Sequence, residues 1–239
     1  WANPEHRKKQ LTALRAALAK PAWKKKNAKA VRKLWADPKF RENNTEHLRR
    51  MHADPKIKEK FAVTEWLWRR EAVEETAQRL AKNDILAVSV YVWNHYYNYA
   101  IAKRVKEINP NVLVIIGGPE PAITDPKIFK DNPWMDLVVC YEGEITFKRI
   151  LEHFETKDWE SIPGLLINRG GEVVKTPDAE RIQELGEIPS PYLCGIFDDL
   201  IAKYPEITWQ GTLETNRGCP YACTFCDWGS LTYNKVKKF

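Results

Sequence analysis

Residues 112–119 read Val-Leu-Val-Ile-Ile-Gly-Gly-Pro, an apolar run of strand length that ends in two glycines and a proline. A short, continuous apolar run favours a strand buried on both faces, and the glycines mark the turn that closes it. Two similar segments flank it, Asp84-Ile-Leu-Ala-Val-Ser-Val-Tyr-Val92 and Met135-Asp-Leu-Val-Val-Cys140. The sequence therefore predicts three buried strands.

Helical patterns alternate with these strands. Glu71–Lys82 contains no Gly or Pro, Tyr99–Ile108 is amphipathic and ends at Asn109-Pro110, and a third helical pattern runs from Glu144 to about Phe154. Because strands and helices alternate, we expect an α/β fold with a parallel sheet and crossover helices.

The ends of the predicted strands supply candidate ligand-binding residues. Parallel sheets bind ligands beyond the carboxyl ends of their strands. Glycine there lets the backbone approach a flat or anionic ligand, although glycine after a strand is also ordinary turn chemistry. These ends carry Ser89–Asn94, Gly117-Gly118-Pro119 and Tyr141–Glu144. The candidate cofactor residues among them are Ser89, Gly117, Gly118, Pro119, Glu142, Gly143 and Glu144.

Residues 71–160 resemble the cobalamin (B12)-binding domain that precedes the barrel in one large class of radical S-adenosylmethionine proteins. The matching text is Ala87-Val-Ser-Val-Tyr-Val-Trp-Asn94, Val114-Ile-Ile-Gly-Gly-Pro119 and Val138-Val-Cys-Tyr-Glu-Gly-Glu144. The resemblance implies a partial flavodoxin-like sheet, with the candidates named above around the lower face and tail of cobalamin.

The sequence departs from this family in two ways. The two strand–helix units that normally open the domain are not recognisable, and the Asp-x-His-x-x-Gly signature, whose His ligates cobalt, is missing. We therefore expect a sheet with an open flank and an incomplete pocket.

Residues 161–210 look like a connector between two domains. A hairpin is predicted from Ile162–Asn168, a turn at Gly170-Gly171, and Glu172–Lys175. Proline makes the Ile188–Tyr192 stretch rigid and extended. Cys194 is interpreted as a packed thiol.

Three cysteines crowd into Cys219-Pro-Tyr-Ala-Cys223-Thr-Phe-Cys226. Thiolates ligate iron–sulfur clusters, and three of them leave one iron of a four-iron cluster open to a small-molecule chelate. A zinc site is one alternative, but it needs a fourth ligand, and the 13 residues after Cys226 contain no Cys or His. Three unrelated reduced cysteines are the other alternative.

The cysteine spacing and its setting resemble the radical S-adenosylmethionine superfamily, through Asn216-Arg-Gly-Cys-Pro220 and Cys223-Thr-Phe-Cys226. The resemblance implies that Cys219, Cys223 and Cys226 hold a [4Fe-4S] cluster whose open iron chelates S-adenosyl-L-methionine. It also implies a 5′-deoxyadenosyl radical and an electron donor such as flavodoxin or ferredoxin.

By position in the same resemblance, Phe225 packs near the adenine, and Tyr221 is the weaker candidate for that contact. Arg217 steadies the loop or the charge of the cluster. Residues 211–239 only begin the barrel of this family. We therefore expect that this chain alone does not cleave S-adenosyl-L-methionine at a useful rate.

Residues 1–70 contain four segments that align at a period of 17, with proline at 4, 21, 38 and 55. Asp or Asn precedes three of these four prolines, and Lys20 precedes Pro21. Asp or Asn followed by proline suits a helix start, so an all-α repeat region is predicted. This region contains 20 Lys/Arg and 7 Asp/Glu, which gives it a formal net charge of +13. Residues 71–239 have a formal net charge of −7.

The repeats resemble the short basic helical repeats that accompany phage and intron-encoded homing-type nucleases. The resemblance implies DNA contact, chiefly to phosphates. The candidate residues for this contact are Lys24, Lys25, Lys26, Arg32, Lys33, Arg49 and Arg50. One alternative to DNA binding is a solvated basic helical array without a specific partner. The other is an RNA or protein partner.

The chain contains five cysteines, an odd number that argues against a disulfide framework and favours the reducing cytoplasm. No apolar stretch reaches the roughly 18 residues that a membrane span needs. The resemblances imply a fragment of a cobalamin-type radical S-adenosylmethionine enzyme that methylates, cyclises or rearranges an unknown substrate, and the cysteine count predicts a cytoplasmic location. The alternative is a nucleic-acid-binding protein of a mobile element with a non-catalytic remnant.

Overall fold

The computed structural model describes residues 55–182, 188, 190–192, 195–212, 216–217 and 237–238. Several predicted site residues lie outside this part of the chain, and their roles stay predictions. They are the three cysteines of the cluster motif, Tyr221, Phe225 and the seven basic residues of the repeats.

Strands and helices alternate along the first part of the described chain. The elements are α1 (Pro55–Lys60), α2 (Val73–Leu80), β1 (Ile85–Ser89), α3 (His95–Ile108), β2 (Leu113–Gly117), α4 (Ile128–Asp131), β3 (Leu137–Val139) and α5 (Glu144–Glu152). They are followed by β4 (Leu165–Arg169), β5 (Glu172–Lys175), α6 (Asp198–Lys203), β6 (Asn216–Arg217) and β7 (Lys237–Lys238).

A five-stranded sheet in the order β1-β2-β3-β4-β5 forms the centre of the fold. Strands β1, β2 and β3 are parallel, with Ser89 opposite Gly117 and Ile116 opposite Val138. The predicted α/β fold with a parallel sheet is therefore confirmed. The short β6 pairs antiparallel with β7 in a separate ribbon.

The hairpin predicted within the connector is present, and the structure makes it part of the main sheet. Strand β4 runs antiparallel to β3, with Leu165 opposite Val139, and β5 runs antiparallel to β4. Leu165, Leu166 and Ile167 are almost fully buried. Burial of these apolar side chains explains why the hairpin joins the sheet. The role of residues 161–210 as a connector stays a prediction.

Apolar residues cover both faces of the sheet. Helices α2 and α3 pack on one face, where Leu80 and Val105 meet Val114 and Val138. Helix α5 packs on the other face, where Ile150 joins a cluster that includes Ile115. Successive strand residues point to opposite faces, so the apolar runs of β2 and β3 contribute to both layers. The prediction that β1 is buried is wrong, because β1 lies at the edge of the sheet and its residues are half-buried or exposed.

Two element boundaries differ from the sequence prediction, and one side chain explains both. Strand β1 ends at Ser89 instead of Val92, and α3 begins at His95 instead of Tyr99. Asn94 Oδ1 accepts a hydrogen bond from the Tyr91 amide at 2.7 Å, and Asn94 Nδ2 donates to the Ser89 carbonyl at 3.1 Å. These bonds replace strand pairing with a turn that leads directly into the helix.

An ion pair joins the two helices on the first face. Arg104 donates to both carboxylate oxygens of Glu74, at 2.7 and 3.0 Å. The Arg104 guanidinium, helped by Gln78, lowers the pKa of Glu74 to about 2.

Among the described residues, no helix is long and apolar enough to cross a membrane.

Candidate cofactor site at the carboxyl edge of the sheet

Three loops meet where β1, β2 and β3 end, and we call this region the carboxyl edge. The strand register places Ser89 beside Gly117, and Ile116 beside Val138, two residues before Cys140. The structure thus brings together all seven candidate cofactor residues that lie within the described chain. Their spatial grouping agrees with the sequence prediction, while cofactor contact by each of them stays a prediction.

Gly118 forms the tightest turn of the carboxyl edge. Its φ of +97° lies in the left-handed region, and an added Cβ would come within 2.3 Å of the Val90 carbonyl oxygen. No residue with a side chain fits there without moving the backbone. Gly118 and Pro119 are both exposed, so bare backbone faces solvent at the centre of the edge.

The loop after β1 is held by amides. Asn94 and Asn98 donate to the Ser89 carbonyl at 3.1 and 3.2 Å, which satisfies the last acceptor of this strand. Ser89 itself is exposed, and Val90, the next residue, is fully buried. The loop therefore has a fixed base and an accessible rim.

Exposed aromatic side chains form this rim. The sequence placed them at the end of a predicted strand but did not name them among the cofactor residues. Tyr91 stacks on Trp93 with ring centroids 4.6 Å apart and an interplanar angle of 11°. Trp93 is 66% exposed and Val92 71% exposed. The apolar run that continues past Ser89, where β1 ends, is the signal that could have identified them. Exposed aromatic faces suit a flat ligand.

A polar pair follows the rim at the start of α3. His95 Nδ1 lies 3.0 Å from Glu120 Oε1, which links the loop after β1 to the loop after β2. The His95 ring also packs against Tyr99, with centroids 4.2 Å apart. Burial, together with the charge of Glu120, raises the pKa of Tyr99.

Tyr141 continues the edge after β3 in an unusual backbone conformation. Its φ is +59°, which is uncommon for a residue with a large side chain, and the side chain is 45% exposed. Residues held in such conformations cluster at ligand-binding sites. Cys140 just below it is 1% exposed, and burial raises the pKa of its thiol to about 11.

The two carboxylates of the Glu142–Glu144 loop point towards arginines. Arg217 Nη1 lies 3.4 Å from Glu142 Oε1, and Arg217 Nη2 donates to Glu144. Glu142 Oε2 accepts a hydrogen bond from the Ile182 amide at 2.9 Å. Gly143 between them immediately precedes α5, so the amino end of this helix also faces the edge.

No group of three or more His, Cys, Asp or Glu side chains within the described residues is arranged to hold a metal ion. The predicted metal ligands are the three cysteines outside that part of the chain.

Comparisons with known proteins agree with this geometry. The family model for the B12 binding domain matches residues 58–151, which include all three loops. The cobalamin-dependent radical SAM methyltransferase TokK of Streptomyces tokunonensis is 41% identical over 171 residues, 70% of this chain and 25% of TokK. Residues 58–151 therefore form a B12-binding domain, and the chain is similar to radical SAM methyltransferases.

Two further relatives support the assignment. The 2-(S-pantetheinyl)-carbapenam-3-carboxylate methyltransferase of Streptantibioticus cattleyicolor is 38% identical over 71% of this chain and 25% of its own. The solved structure of the cobalamin-dependent S-adenosylmethionine radical enzyme OxsB, with aqua-cobalamin and S-adenosylmethionine bound, matches with a TM-score of 0.50 and 25% identity. This match covers 65% of our chain and 22% of OxsB.

The chain spans about a quarter of the length of the two curated relatives, which are methyltransferases by name. The shared region includes the B12-binding domain rather than a complete enzyme. The family assignment therefore rests on this domain.

Proposed function

We propose that the carboxyl edge binds cobalamin, and that the protein acts as a cobalamin-dependent radical S-adenosylmethionine methyltransferase. The observation that carries the proposal is the Gly118 turn, which presents exposed backbone between the Tyr91–Trp93 rim and Tyr141. It lies within the region that the B12-binding family model matches.

The residues at the edge fit such a cofactor in shape and polarity. A flat ring needs an open approach, which glycine backbone and exposed aromatic faces supply. The amino ends of α3 and α5 both face the edge, and their amides favour the polar and anionic groups of a nucleotide-type tail. When bound, cobalamin would supply a cobalt-bound methyl group for transfer.

The chain's own residues hold and shield this cofactor in the proposal. Gly118 admits it, and the stacked Tyr91–Trp93 pair excludes water from one side of it. The buried Val90 and Cys140 provide a rigid, apolar floor beneath the loops. The relatives at 41% and 38% identity are methyltransferases by name, whereas relatives named as cyclases are 25–29% identical, so the proposal favours methyl transfer over cyclisation.

Absorbance titration with hydroxocobalamin tests cofactor binding. We expect saturable binding by the whole chain and a loss of binding in Gly118→Val, because a side chain there must displace the Val90 carbonyl. Gly170→Val is the matched control, since Gly170 also has a positive φ, of +64°, but an added Cβ meets nothing within 4 Å. Equal affinity in the wild type and Gly118→Val would refute the site.

The [4Fe-4S] cluster and S-adenosyl-L-methionine belong to the same proposal, through Cys219, Cys223 and Cys226 with Phe225 and Tyr221 nearby in sequence. Anaerobic reconstitution with iron and sulfide should give a brown protein that absorbs at about 400 nm, as expected for thiolate-ligated clusters. Replacement of all three cysteines by Ala should abolish the colour. A triple variant that stays brown would rule out this ligand set.

The charge of residues 1–70 supports a second, separate activity. A balance of +13 in this region favours binding to a polyanion such as DNA. Binding through Lys24, Lys25, Lys26 and the other basic candidates should weaken steeply as salt rises, because phosphate contacts release counterions. Complex formation that persists in high salt would contradict the electrostatic account.

A further inference from the structure

Arg217 connects two parts of the chain that are distant in sequence. It lies in β6, two residues before Cys219, and its side chain contacts the loop at the end of β3. Arg217 Nη1 is 3.4 Å from Glu142 Oε1, and Nη2 donates to Glu144 Oε1. One guanidinium thus bridges two carboxylates that are 75 and 73 positions earlier in the chain.

A second arginine strengthens the connection. Arg181 Nη2 donates to the Arg217 carbonyl at 3.2 Å, and Arg181 Nε lies 3.9 Å from Glu142 Oε1. The other oxygen of Glu142 accepts the Ile182 amide at 2.9 Å. Glu142 therefore has partners on both carboxylate oxygens, and Arg217 is held through its side chain and its backbone.

These groups are largely removed from water. The side chains of Arg181, Arg217 and Glu142 are 11%, 17% and 17% exposed. Ion pairs in such surroundings are screened less than surface pairs, and loss of one partner leaves a partly buried charge. The planar guanidinium can bind two carboxylates at fixed angles, which a lysine cannot reproduce.

The position of this ion-pair network matters because both of its ends border predicted cofactor sites. Glu142 and Glu144 flank Gly143 at the carboxyl edge, and Arg217 immediately precedes the cysteine motif. The Glu142 carboxylate, bound by an amide and by arginines, is committed to the protein rather than offered to a cofactor.

We propose that Arg217 and Glu142 are positioning residues that couple the cysteine-bearing segment to the loop at the carboxyl end of β3. In this role Glu142 acts through Arg217 instead of touching cobalamin. The claim that this link couples two cofactor sites rests on the proposed function, because it assumes that cobalamin binds at the carboxyl edge and that the cysteine motif holds a cluster. The link itself does not depend on either cofactor.

Hydrogen exchange on the whole chain without cofactors tests the link. We expect Arg217→Ala to accelerate amide exchange roughly tenfold both in peptides containing residues 142–144 and in those containing 216–217, because each end loses its anchor. Glu160→Gln is the matched control, since it removes the exposed 2.7 Å pair with Arg169 and should leave both peptides unchanged. Acceleration confined to residues 216–217 would overturn the proposal.

A second measurement adds hydroxocobalamin and follows the same peptides. In the wild type we expect the cofactor to slow exchange at residues 117–119 and also at 216–217. Arg217→Ala should keep the first effect and lose the second, and Arg217→Lys should retain part of it. If cobalamin protects 216–217 equally in the wild type and Arg217→Ala, or never protects it, the coupling is refuted. If cobalamin protects neither region of the wild type, the proposed cofactor site fails, while the cofactor-free comparison still decides the link.

Discussion

The two edges of the parallel sheet contrast in how their polar groups are used. At the amino edge, where β2 and β3 begin, Asp136 Oδ2 accepts hydrogen bonds from Lys106 Nζ at 2.6 Å and from the Val114 amide at 2.7 Å. Lys106 also donates to the Val112 carbonyl at 2.8 Å. These groups bind one another and hold the strands together.

The carboxyl edge shows the opposite arrangement. Its aromatic rim is exposed, Gly118 presents bare backbone, and Tyr141 holds a positive φ. These exposed groups are accessible to a ligand. The difference indicates that the amino edge is closed by its own hydrogen bonds, while part of the carboxyl edge is open to a ligand, as expected for parallel α/β folds.

The largest effect is expected at Gly118. Gly118→Ala forces a Cβ to within 2.3 Å of the Val90 carbonyl, so we expect a loss of about 3 kcal/mol in unfolding free energy. Gly170→Ala, with open space around it, should lose only about 1 kcal/mol. Urea denaturation of both variants measures the difference, and equal losses would contradict the packing argument.

The next effect separates stability from binding. Asp136→Ala removes the acceptor of Lys106 and of the Val114 amide, and we expect it to lower the unfolding free energy by about 2 kcal/mol. Hydroxocobalamin affinity should stay unchanged, because the amino edge lies away from the site. Asp178→Ala, which breaks an exposed pair with Lys175, is the control and should cost less than about 0.5 kcal/mol. Weaker cofactor binding by folded Asp136→Ala would show that the edges are not separate in function.

A substitution in the aromatic rim should weaken cofactor binding and leave the stability of the fold nearly unchanged. We expect Trp93→Ala to reduce hydroxocobalamin affinity about tenfold, which corresponds to about 1.4 kcal/mol, and to change the stability by less than about 0.5 kcal/mol. Ile108→Ala is the comparison, because Ile108 is an exposed apolar residue at the end of α3 towards the amino edge. If both variants bind cofactor as the wild type does, the rim has no binding role.

The smallest effect concerns the layer beneath the carboxyl edge. Burial raises the pKa of the Cys140 thiol from 9.0 to about 11, so above pH 9 the unfolded chain loses this proton before the folded chain does. Stability contributed by the neutral thiol is therefore present below pH 9 and is lost as the pH rises towards 11, by about 1 kcal/mol at pH 10. Cys140→Ala should lack this component, as shown by denaturation of both proteins at pH 8 and 10. Parallel pH dependence would mean that water reaches the thiol.

The sequence predicted the parts of the site that depend on local chemistry. The apolar run 112–116 and its glycines identified β2 and its turn, and the alternation of patterns identified the parallel sheet. The sequence placed Tyr91 and Trp93 at the end of a predicted strand but did not name them as cofactor residues, because an apolar pattern alone does not tell a buried side chain from an exposed one. That distinction depends on where β1 ends, and the Asn94 side chain decides this through tertiary geometry.

By itself, the sequence determined the fold class, the seven candidate residues of the carboxyl edge and the family resemblance, since apolar periodicity and turn glycines act over short ranges. Only the tertiary structure decided that the hairpin joins the sheet and that Glu142 and Glu144 meet Arg217. Both outcomes depend on groups that are far apart in the chain, and no local pattern specifies which distant carboxylate an arginine will reach. Local sequence patterns thus identify the residues of the carboxyl edge, and the tertiary structure determines which distant residues they contact.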